Sequence, residues 1–345
     1  MAKVSIKDVA ARAGVSFQTV GKVLNGKGAV SAETRQRILR AAEELGYVRN
    51  TLARGLRSRR TLMLGVLTVQ FAHQAPGEYL VGIQREARRH DLSVLVTSAA
   101  NDAEDAEHNY RTLVEQRVDG LIVNAPSLEA DRRFAELLAG GPPTVTLHEL
   151  WGNPTSRVTG SGQTGSLPVD HLVRLGHRRV AMIGGIPEGR LTILRREAYR
   201  RVLAERGVEL DAALEDYGGW HVAGGAAAMA RILDRRPETT AVYVQNDQMA
   251  IGALRTLHDR GVSVPRDFSL IGCDDLPLSA YTVPSLSTVR IPFVEIGEAA
   301  VRTVLAHIDD PDLAPGGTML PVDLVIREST GPAPATRRPR RETDA

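Results

Sequence analysis

The chain has 345 residues, of which 43% are hydrophobic and 24% charged, a composition typical of a globular protein of two or three domains. No apolar stretch approaches the roughly 18–20 residues that span a bilayer, and the single cysteine, Cys273, cannot form an internal disulfide, so membrane proteins, disulfide-rich secreted domains and zinc modules are excluded. The N-terminus lacks the uninterrupted apolar core of a secretory signal, and we expect a cytoplasmic protein.

Charge is distributed unevenly along the chain. Of the 43 Lys and Arg and 41 Asp and Glu residues, residues 1–60 hold 13 and 4, and residues 61–345 hold the other 30 and 37. Every lysine lies in the first thirty residues. A basic segment attached to an acidic body is typical of a small nucleic-acid-binding domain joined to another domain.

The basic segment predicts three short helices in succession. Ser5 is a favourable N-cap for a helix over residues 5–13, and Gly14 permits a sharp turn into a second helix over residues 17–25. A third helix is predicted over residues 33–47. Apolar residues recur on one face of each helix at helical spacing: Ile6, Val9, Ala10, Val20, Val23, Leu24, Ile38, Ala42 and Leu45. This arrangement predicts a helix-turn-helix domain.

Polar side chains remain on the outward face of the second helix, where a recognition helix reads bases in the major groove. Gln can bond adenine with two hydrogen bonds and Lys can reach guanine. We therefore expect base contacts from Phe17, Gln18, Lys22 and Asn25. Hydroxyl groups suit phosphates, and that role is assigned to Ser16, Thr19 and Ser31. A glycine inside a helix costs about 1 kcal/mol relative to alanine. We attribute the presence of Gly21 to a close approach of another backbone.

The segment SIKDVAARAGVSFQTVGKVLNGKGAVSAETRQRILRAAEELGYVRNTLARGL resembles the N-terminus of the LacI/GalR family of bacterial transcription regulators. In that family a hinge helix follows and inserts a leucine between base steps of the minor groove. The resemblance implies a hinge over residues 49–60 with DNA contacts from Asn50, Ala53 and Leu56. So short a helix is expected to become ordered only in a dimer on DNA. Gly21 and Lys22 replace the family's usual Ser and Arg, which alters the expected operator sequence.

From Thr61 onward, strand-like apolar runs, the last of which is LPVDLVI, alternate with amphipathic helical stretches. This pattern predicts an α/β fold with parallel sheets and helices on both faces, too long for one sheet. The motifs DHLVRLGHRRVAMIGG, NDQMAIGALRTLHDRGVSVPRDFSLIGCDD, PSLSTVR and LPVDLVIREST extend the resemblance to about Pro332. It implies a two-lobed core similar to periplasmic sugar-binding proteins, with crossings between the lobes near residues 160, 290 and 320.

Several details place the chain nearest the lactose branch of the family: FQTV in the head, QAP at residues 74–76, Trp220, and PF at residues 292–293. The resemblance implies effector contacts from nine residues: Ala75, Pro76, Tyr79, His148, Arg195, Trp220, Asn246, Asp274 and Phe293. Their types suit a sugar, because Asp, Asn and Arg each bond two neighbouring hydroxyl groups and an aromatic face covers the apolar side of a pyranose. A galactoside is the leading expectation.

For some of these residues and their neighbours, a purely structural role is an alternative to effector binding. Arg195 lies in an arginine-rich helix and could belong to its surface, and Trp220, at the start of a helix, could pack in the core. Asp247 is expected to cap the following helix. Cys273 is expected to be a small buried residue at a strand end.

The chain departs from the lactose branch at several effector positions. His148 replaces an Asp, Ile291 replaces a Gln, and Tyr79 is larger than the residue usual there. Residues 160–165 are rebuilt as GSGQTG. These changes leave open the affinity and the length of sugar accommodated.

Three other functions are alternatives. GSGQTG has the G-x-G-x-x-G form of a dinucleotide-binding loop, but the acidic residue expected about 20 positions on, at the end of the next strand, is missing. A sugar transport protein would lack the DNA-binding head. A relative that responds to a purine, or that requires a corepressor, remains an alternative. We expect no catalytic residues, no metal and no cofactor.

Proteins with a helix-turn-helix of this type read two half-sites as dimers. The tail GPAPATRRPRRETDA has no apolar heptads, so we expect a dimer that does not associate further through its C-terminus. The predicted organisation is a helix-turn-helix domain over residues 1–48, a hinge over 49–60, an effector-binding and dimerisation core over 61–332, and a disordered tail over 333–345.

Overall fold

The computed structural model describes residues 4–24, 30–47, 60–69, 74–99, 103–129, 131–148, 150, 152, 155–160 and 162–335. The chain divides into two compact units, Met1–Thr61 and Leu62–Ala345, which we call the head and the body. Within the described ranges, no helix has both the length and the apolar character that crossing a membrane requires.

The head has three described helices: α1 (Ile6–Ala13), α2 (Phe17–Leu24) and α3 (Ala32–Glu44). Ser5 begins α1 as predicted, because its backbone N–H and its hydroxyl both donate to Asp8 Oδ2, at 2.7 and 2.8 Å. These two bonds hold the pKa of Asp8 below its usual value. Gly14 then turns the chain towards α2 at φ +63°, a conformation that glycine adopts without strain. The helices bury a small core of Val9, Ala10, Ala13, Val20, Val23, Leu24, Ile38 and Ala41.

The strands described in the body are numbered in chain order: β1 (Met63–Val69), β2 (Ser93–Ala99), β3 (Gly120–Asn124), β4 (Thr144–Thr146), β5 (Ser156–Gly160), β6 (Val180–Gly184), β7 (Glu215–Tyr217), β8 (Ala241–Val244), β9 (Ser269–Ile271), β10 (Thr288–Arg290), β11 (Gly317–Leu320) and β12 (Asp323–Val325). The α-helices described in the body are α4 (Gln74–Arg89), α5 (Ala103–Glu115), α6 (Arg132–Ala139), α7 (Ser166–Arg174), α8 (Arg190–Glu205), α9 (Val222–Arg235), α10 (Asp247–Asp259) and α11 (Phe293–Asp309).

Six strands form a parallel sheet in the order β11-β5-β4-β3-β1-β2. In its register, Leu64 of β1 lies opposite Val94 on one side and Gly120 on the other. The helix α11 packs against β3, β4 and β5 and against α4. These elements make the first lobe.

The second lobe is built on a parallel sheet of four strands in the order β7-β6-β8-β9. A separate antiparallel pair, β10 with β12, is joined to the end of β9 by bridges from Ile271 to Ser287 and from Asp274 to Arg290. Between the described elements, the chain therefore passes from one lobe to the other three times: after β5, after β10 and after β11. These crossings confirm the positions near 160, 290 and 320 that the resemblance implied.

Two glycines allow α4 and α11 to cross with their backbones in contact. A Cβ atom at Gly82 would lie 2.0 Å from the carbonyl oxygen of Val294, and one at Gly297 would lie 2.3 Å from the carbonyl oxygen of Tyr79. No side chain fits at either position without moving a helix. The crossing fixes the start of α11 against the first turns of α4, which matters for the site described below.

The predicted run LPVDLVI is two strands rather than one. Pro321 has no N–H to donate, so β11 ends at Leu320 in the first sheet and β12 begins at Asp323 in the second lobe. In α9 two glycines weaken the helical pattern, yet packing requires them: a Cβ at Gly225 would lie 2.2 Å from the carbonyl oxygen of Met249 in α10.

Candidate DNA-binding and effector sites

The outward face of α2 carries three of the four residues predicted to contact bases. Phe17 is 51% exposed, and Gln18 and Lys22 are exposed beside it. Ser16 begins α2, because its Oγ accepts a hydrogen bond from Thr19 N at 3.1 Å. Ser31 does the same at the start of α3, where its Oγ accepts from Thr34 N at 3.3 Å. Two of the three hydroxyls predicted to meet phosphates, those of Ser16 and Ser31, therefore also cap helices, and both residues are exposed.

Several predicted contacts fall outside the described residues: Asn25, Asn50, Ala53 and Leu56. Ala75 and Pro76 lie in the first turn of α4, but their side chains are also outside the described set. The predicted hinge over residues 49–60 is described only at Arg60, and the tail only as far as Ala335. The roles of these residues stay predictions.

Among the described residues of the head, no backbone approaches Gly21 closely, so the explanation from the sequence finds no support there. A Cβ atom there would lie 3.8 Å from Ile6 Cδ1, an ordinary contact. We expect Gly21→Ala to stabilise α2 by about 1 kcal/mol, because alanine favours helix. Amide hydrogen exchange of α2 in the full-length protein should slow by about fivefold.

The matched control for Gly21→Ala is Gly14→Ala. Gly14 has equally open surroundings but a φ of +63°, so the same methyl group should destabilise the head by about 1 kcal/mol. If exchange from α2 is unchanged in Gly21→Ala, the helix-propensity explanation is wrong.

Two aromatic side chains of the predicted effector site lie in the first lobe. The rings of Tyr79 in α4 and Phe293 in α11 meet edge to face, with centroids 5.0 Å apart and planes at 81°. Burial raises the pKa of Tyr79, the nearby Asp274 raises it further, and Arg195 lowers it. The phenol is thus a hydrogen-bond donor within electrostatic reach of two residues of the second lobe.

Arg195 is only 4% exposed, so it does not belong to the arginine-rich surface of α8. Its Nε donates to Thr164 Oγ1 at 3.3 Å and its Nη1 donates to the main-chain oxygen of Gln245. Within the described part of the chain, Nη2 makes no hydrogen bond. Two nitrogens therefore hold the guanidinium in place, and the third is available to donate a hydrogen bond.

Asp274 lies three residues beyond the end of β9 and is half-buried as a residue. Its carboxylate has no hydrogen-bond partner among the described residues. Burial raises its pKa well above the usual value, while the charge of Arg195 lowers it. The backbone has φ +128°, and such strain persists only where the surrounding structure imposes it, often at functional sites. An acceptor held in this way suits the hydroxyl groups of a ligand.

Trp220 and Asn246 are connected to each other, because Asn246 Nδ2 donates to the carbonyl oxygen of Trp220 at 3.0 Å. The indole lies over Gly185, just past the end of β6, where a Cβ atom would be 1.9 Å from Trp220 Cε2. Trp220 stays half-buried and packs against the core of the second lobe. It precedes α9, which begins at Val222, rather than opening the helix as predicted.

Asp247 does not cap α10, contrary to the prediction. The cap is Asn246, whose Oδ1 accepts from Met249 N at 2.9 Å. Asp247 is buried below it and accepts from Leu276 N, Ser279 Oγ and Thr288 Oγ1. Cys273 is fully buried, as predicted.

His148 is buried in the first lobe, two residues beyond the end of β4. Its Nε2 accepts a hydrogen bond from Ala125 N at 2.9 Å, and its Nδ1 is buried without a partner among the described residues. Burial, with a smaller effect from Arg157, lowers the pKa of His148 to about 3. The imidazole is therefore neutral at neutral pH, with its proton on Nδ1.

Acidification should destabilise the body through His148. Because its pKa is lower in the folded chain than the ordinary 6.5, the unfolded chain binds the proton first, and stability falls as the pH drops below 6.5. At pH 5 the loss is about 2 kcal/mol, at 1.4 kcal/mol per pH unit. Urea unfolding at pH 7.5, 6 and 5 should show this loss in the wild type and a shallower one in His148→Gln.

The slope should not vanish in His148→Gln, since burial also lowers the pKa of His171 and His177. His108→Gln, at an exposed position, is the control and should leave the slope unchanged. If His148→Gln keeps the full wild-type slope, His148 is not the group that takes up the proton.

The segment GSGQTG joins the two lobes. Its first glycine ends β5 in the first sheet, whereas the helix that follows, α7, packs in the second lobe, so it does not lie within a single βαβ unit. Gly165 lets α7 approach α8, since a Cβ there would lie 2.7 Å from the carbonyl oxygen of Arg195. Thr164 holds Arg195 through its hydroxyl and accepts from Tyr243 Oη at 2.9 Å. Neither Thr164 nor Gln245 was predicted to support the site.

Two family profiles match the chain. "Bacterial regulatory proteins, lacI family" matches residues 5–50, and "Periplasmic binding protein-like domain" matches residues 169–330. The first covers the helices of the head, and the second covers the second lobe together with the last two crossings.

Curated relatives and solved structures resemble the chain over nearly its whole length. The lactose operon repressor of Escherichia coli (strain K12) is 33% identical over 351 residues, covering 100% of this chain and 96% of that protein. The transcriptional regulator AscG of the same strain is 33% identical, with 90% and 94% covered. The lac repressor dimer bound to operator and the anti-inducer ONPF has a TM-score of 0.84 at 32% identity, with 96% and 100% covered. The chain belongs to the lacI family of bacterial regulatory proteins.

Proposed function

We propose that the protein is a transcriptional repressor that binds operator DNA as a homodimer and releases it when a small sugar binds between the two lobes of the body. The observation that carries this proposal is the combination of a helix-turn-helix head with the free Nη2 of Arg195 and the unpaired carboxylate of Asp274 among the described residues of the body. The head supplies the DNA contact and the body supplies a receptor.

A sugar is the effector whose chemistry fits these groups. A guanidinium nitrogen, a carboxylate and the Tyr79 phenol can bond neighbouring hydroxyls, while Phe293 and the half-buried Trp220 offer apolar faces. Similar proteins point the same way: the lactose and ribose operon repressors are named for sugars, and the regulator CelR is known as a complex with cellobiose. We favour a galactoside; a purine, or a ligand acting as corepressor, is the alternative.

The proposed switch rests on differential affinity. A ligand shifts an equilibrium between two conformations only by the difference in its affinity for them. Because Tyr79 and Phe293 belong to one lobe and Arg195 and Asp274 to the other, a sugar touching all four stabilises one arrangement of the lobes. We propose that this arrangement is incompatible with ordered hinges on DNA.

The test is a thermal-shift panel of the full-length protein with galactose, lactose, allolactose, cellobiose, ribose and purines. A ligand at 100 times its dissociation constant adds about 2.7 kcal/mol, which moves the melting temperature by several degrees. A shift with galactosides alone supports the proposal, provided that the same sugar releases a fluorescent operator fragment. A shift with a purine alone, or tighter operator binding with the sugar, contradicts it.

The homodimer requires an apolar surface on the body, and we propose that it includes residues 278–283. Val283 is 97% exposed, Tyr281 80% and Leu278 56%, the largest exposed apolar group in one described segment. Tyr281→Asp should shift the protein from dimer to monomer in light scattering and weaken operator binding, since one head reads only a half-site. A Tyr281→Asp variant that remains a dimer would exclude this surface; Tyr281→Phe is the control.

This function needs neither a cofactor nor a catalytic residue, and we propose that the protein is not an enzyme. The rival hypothesis, a dinucleotide-dependent enzyme, loses its main support because GSGQTG links two lobes. A regulator that binds operator DNA works where bacterial DNA lies, so we place the protein in the cytoplasm.

A further inference from the structure

The start of α10 contacts two parts of the proposed effector site on the second lobe, the backbone of Trp220 and the segment around Asp274. Asn246 holds the backbone of Trp220, as described above. The next residue, Asp247, is completely buried, and its carboxylate accepts hydrogen bonds from Leu276 N at 2.9 Å, Ser279 Oγ at 2.6 Å and Thr288 Oγ1 at 2.6 Å. Within the described part of the chain it forms no ion pair. A buried carboxylate that accepts three neutral donors depends on all of them.

These donors surround the segment that carries Asp274. Leu276 follows it by two residues, and Thr288 Oγ1, which donates to Asp247, also accepts from Asp275 N at 3.4 Å. Before Asp274 in the chain, Gly272 packs directly against the Asp247 carboxylate, since a Cβ atom at Gly272 would lie 2.2 Å from Asp247 Oδ1. Asp247 thus touches the segment before and after Asp274.

The segment needs such support because its backbone is strained. Asp274 and Asp275 have φ values of +128° and +60°, a region that residues other than glycine rarely adopt. Asp275 is tied by ion pairs to Arg290 and Arg327, at 2.7 and 2.6 Å. No comparable side-chain bond holds Asp274 among the described residues, so its orientation depends on its neighbours.

We infer that Asp247 is a positioning residue of the effector site: its three hydrogen bonds hold residues 272–276 in the strained conformation that presents the Asp274 carboxylate to the effector. This inference rests on the proposed function only in taking Asp274 as an effector-binding residue. The structural claim, that Asp247 holds residues 272–276 in place, is independent of which ligand binds.

The single cysteine of the chain gives a direct test. Cys273 lies in the segment and is completely buried, so its thiol reacts with Ellman's reagent only when the segment opens. Asp247→Asn places an amide NH₂ against donors and breaks at least one bond, and we expect labelling of Cys273 in the native full-length protein to accelerate by about tenfold or more. Thr288→Val removes one donor and should accelerate it less.

The matched control is Asp216→Asn. Asp216 is also a buried carboxylate of the second lobe, held by Arg231 and Arg235 at 2.5 and 2.8 Å, but it lies in β7, a different part of the sheet. It should lower global stability without opening the segment. If Asp247→Asn labels no faster than Asp216→Asn at equal global stability, the inference is overturned. Should Asp247→Asn fail to fold, Thr288→Val decides by the same comparison.

A second readout connects the segment to the ligand. Calorimetric titration with methyl β-D-galactoside should give an affinity about tenfold weaker in Asp247→Asn and unchanged in Asp216→Asn, with operator affinity unchanged in both. Unchanged galactoside affinity in Asp247→Asn would refute the positioning role. If the wild type does not bind the galactoside, the proposed effector is wrong, and the labelling experiment still decides whether Asp247 holds the segment.

Discussion

The Arg195→Ala variant is expected to bind operator DNA like the wild type and to lose about a hundredfold in affinity for a galactoside. Charge-assisted hydrogen bonds contribute about 1.5–3 kcal/mol each, and truncation removes the nitrogen that no described protein group uses. It also removes the cation that lowers the pKa of Asp274, so that carboxyl becomes harder to ionise. Calorimetry with the sugar and fluorescence anisotropy with an operator fragment separate the two activities.

The neighbouring Arg196→Ala is the matched control for Arg195→Ala. Arg196 is on the same helix and donates instead to Tyr217 Oη at 2.8 Å, so its removal should leave both affinities unchanged. Arg195 also supports the Thr164 hydroxyl, and a melting curve of each variant checks that the body stays folded. A variant that lacks Arg195 but still releases DNA at the wild-type sugar concentration would remove this residue from the site.

Gly82→Ala is expected to destabilise the body by about 3 kcal/mol, an effect at the upper end for a single methyl group. The new Cβ would lie 2.0 Å from the carbonyl oxygen of Val294 and 3.1 Å from the amide nitrogen of Glu298. Both are backbone atoms of α11 that cannot rotate away, so α4 and α11 must separate. Urea unfolding followed by circular dichroism measures the loss.

Gly77→Ala distinguishes this crowding from a general effect of alanine in α4. Gly77 lies in the same helix, and a Cβ atom added there would have no described atom within 4 Å, so the substitution should be neutral or stabilise by up to about 1 kcal/mol. The separation in Gly82→Ala should also move Tyr79 from Phe293 and weaken sugar binding. Equal midpoints for the two variants would show that the helices can part at little cost.

Helix caps and turn residues, which act over short stretches of sequence, predicted the helices of the head well. Ser5 and Gly14 act within three or four residues of their own position, and their roles follow from side-chain chemistry and backbone freedom alone. The alternation of strands and helices likewise predicted two parallel sheets. The broken strand at Pro321 was missed because the run remains apolar across the proline, and only the change of partner sheet reveals it.

The support of the effector site could not be predicted in the same way. Asn246 and Asp247 are both good N-caps, and which of them caps α10 depends on where the helix begins by a single residue. Thr164 and Gln245 support Arg195 from segments 31 and 50 residues away, the second through a backbone oxygen that no sequence pattern marks. The contacts of His148 are equally nonlocal.

The crossings between the lobes also govern how the chain can fold during synthesis. β11, the edge strand beside β5, and α11, which covers the same sheet, both follow the whole four-stranded sheet of the second lobe in the chain. A nascent chain that has emerged as far as Ile271 therefore holds every described strand of the second sheet but only five of the six in the first. Domains usually complete themselves in the order of translation. Here the N-terminal lobe is expected to complete its fold last. Until β11 and α11 are synthesised, the edge of β5 has no partner strand and the face of the first sheet that α11 covers is exposed.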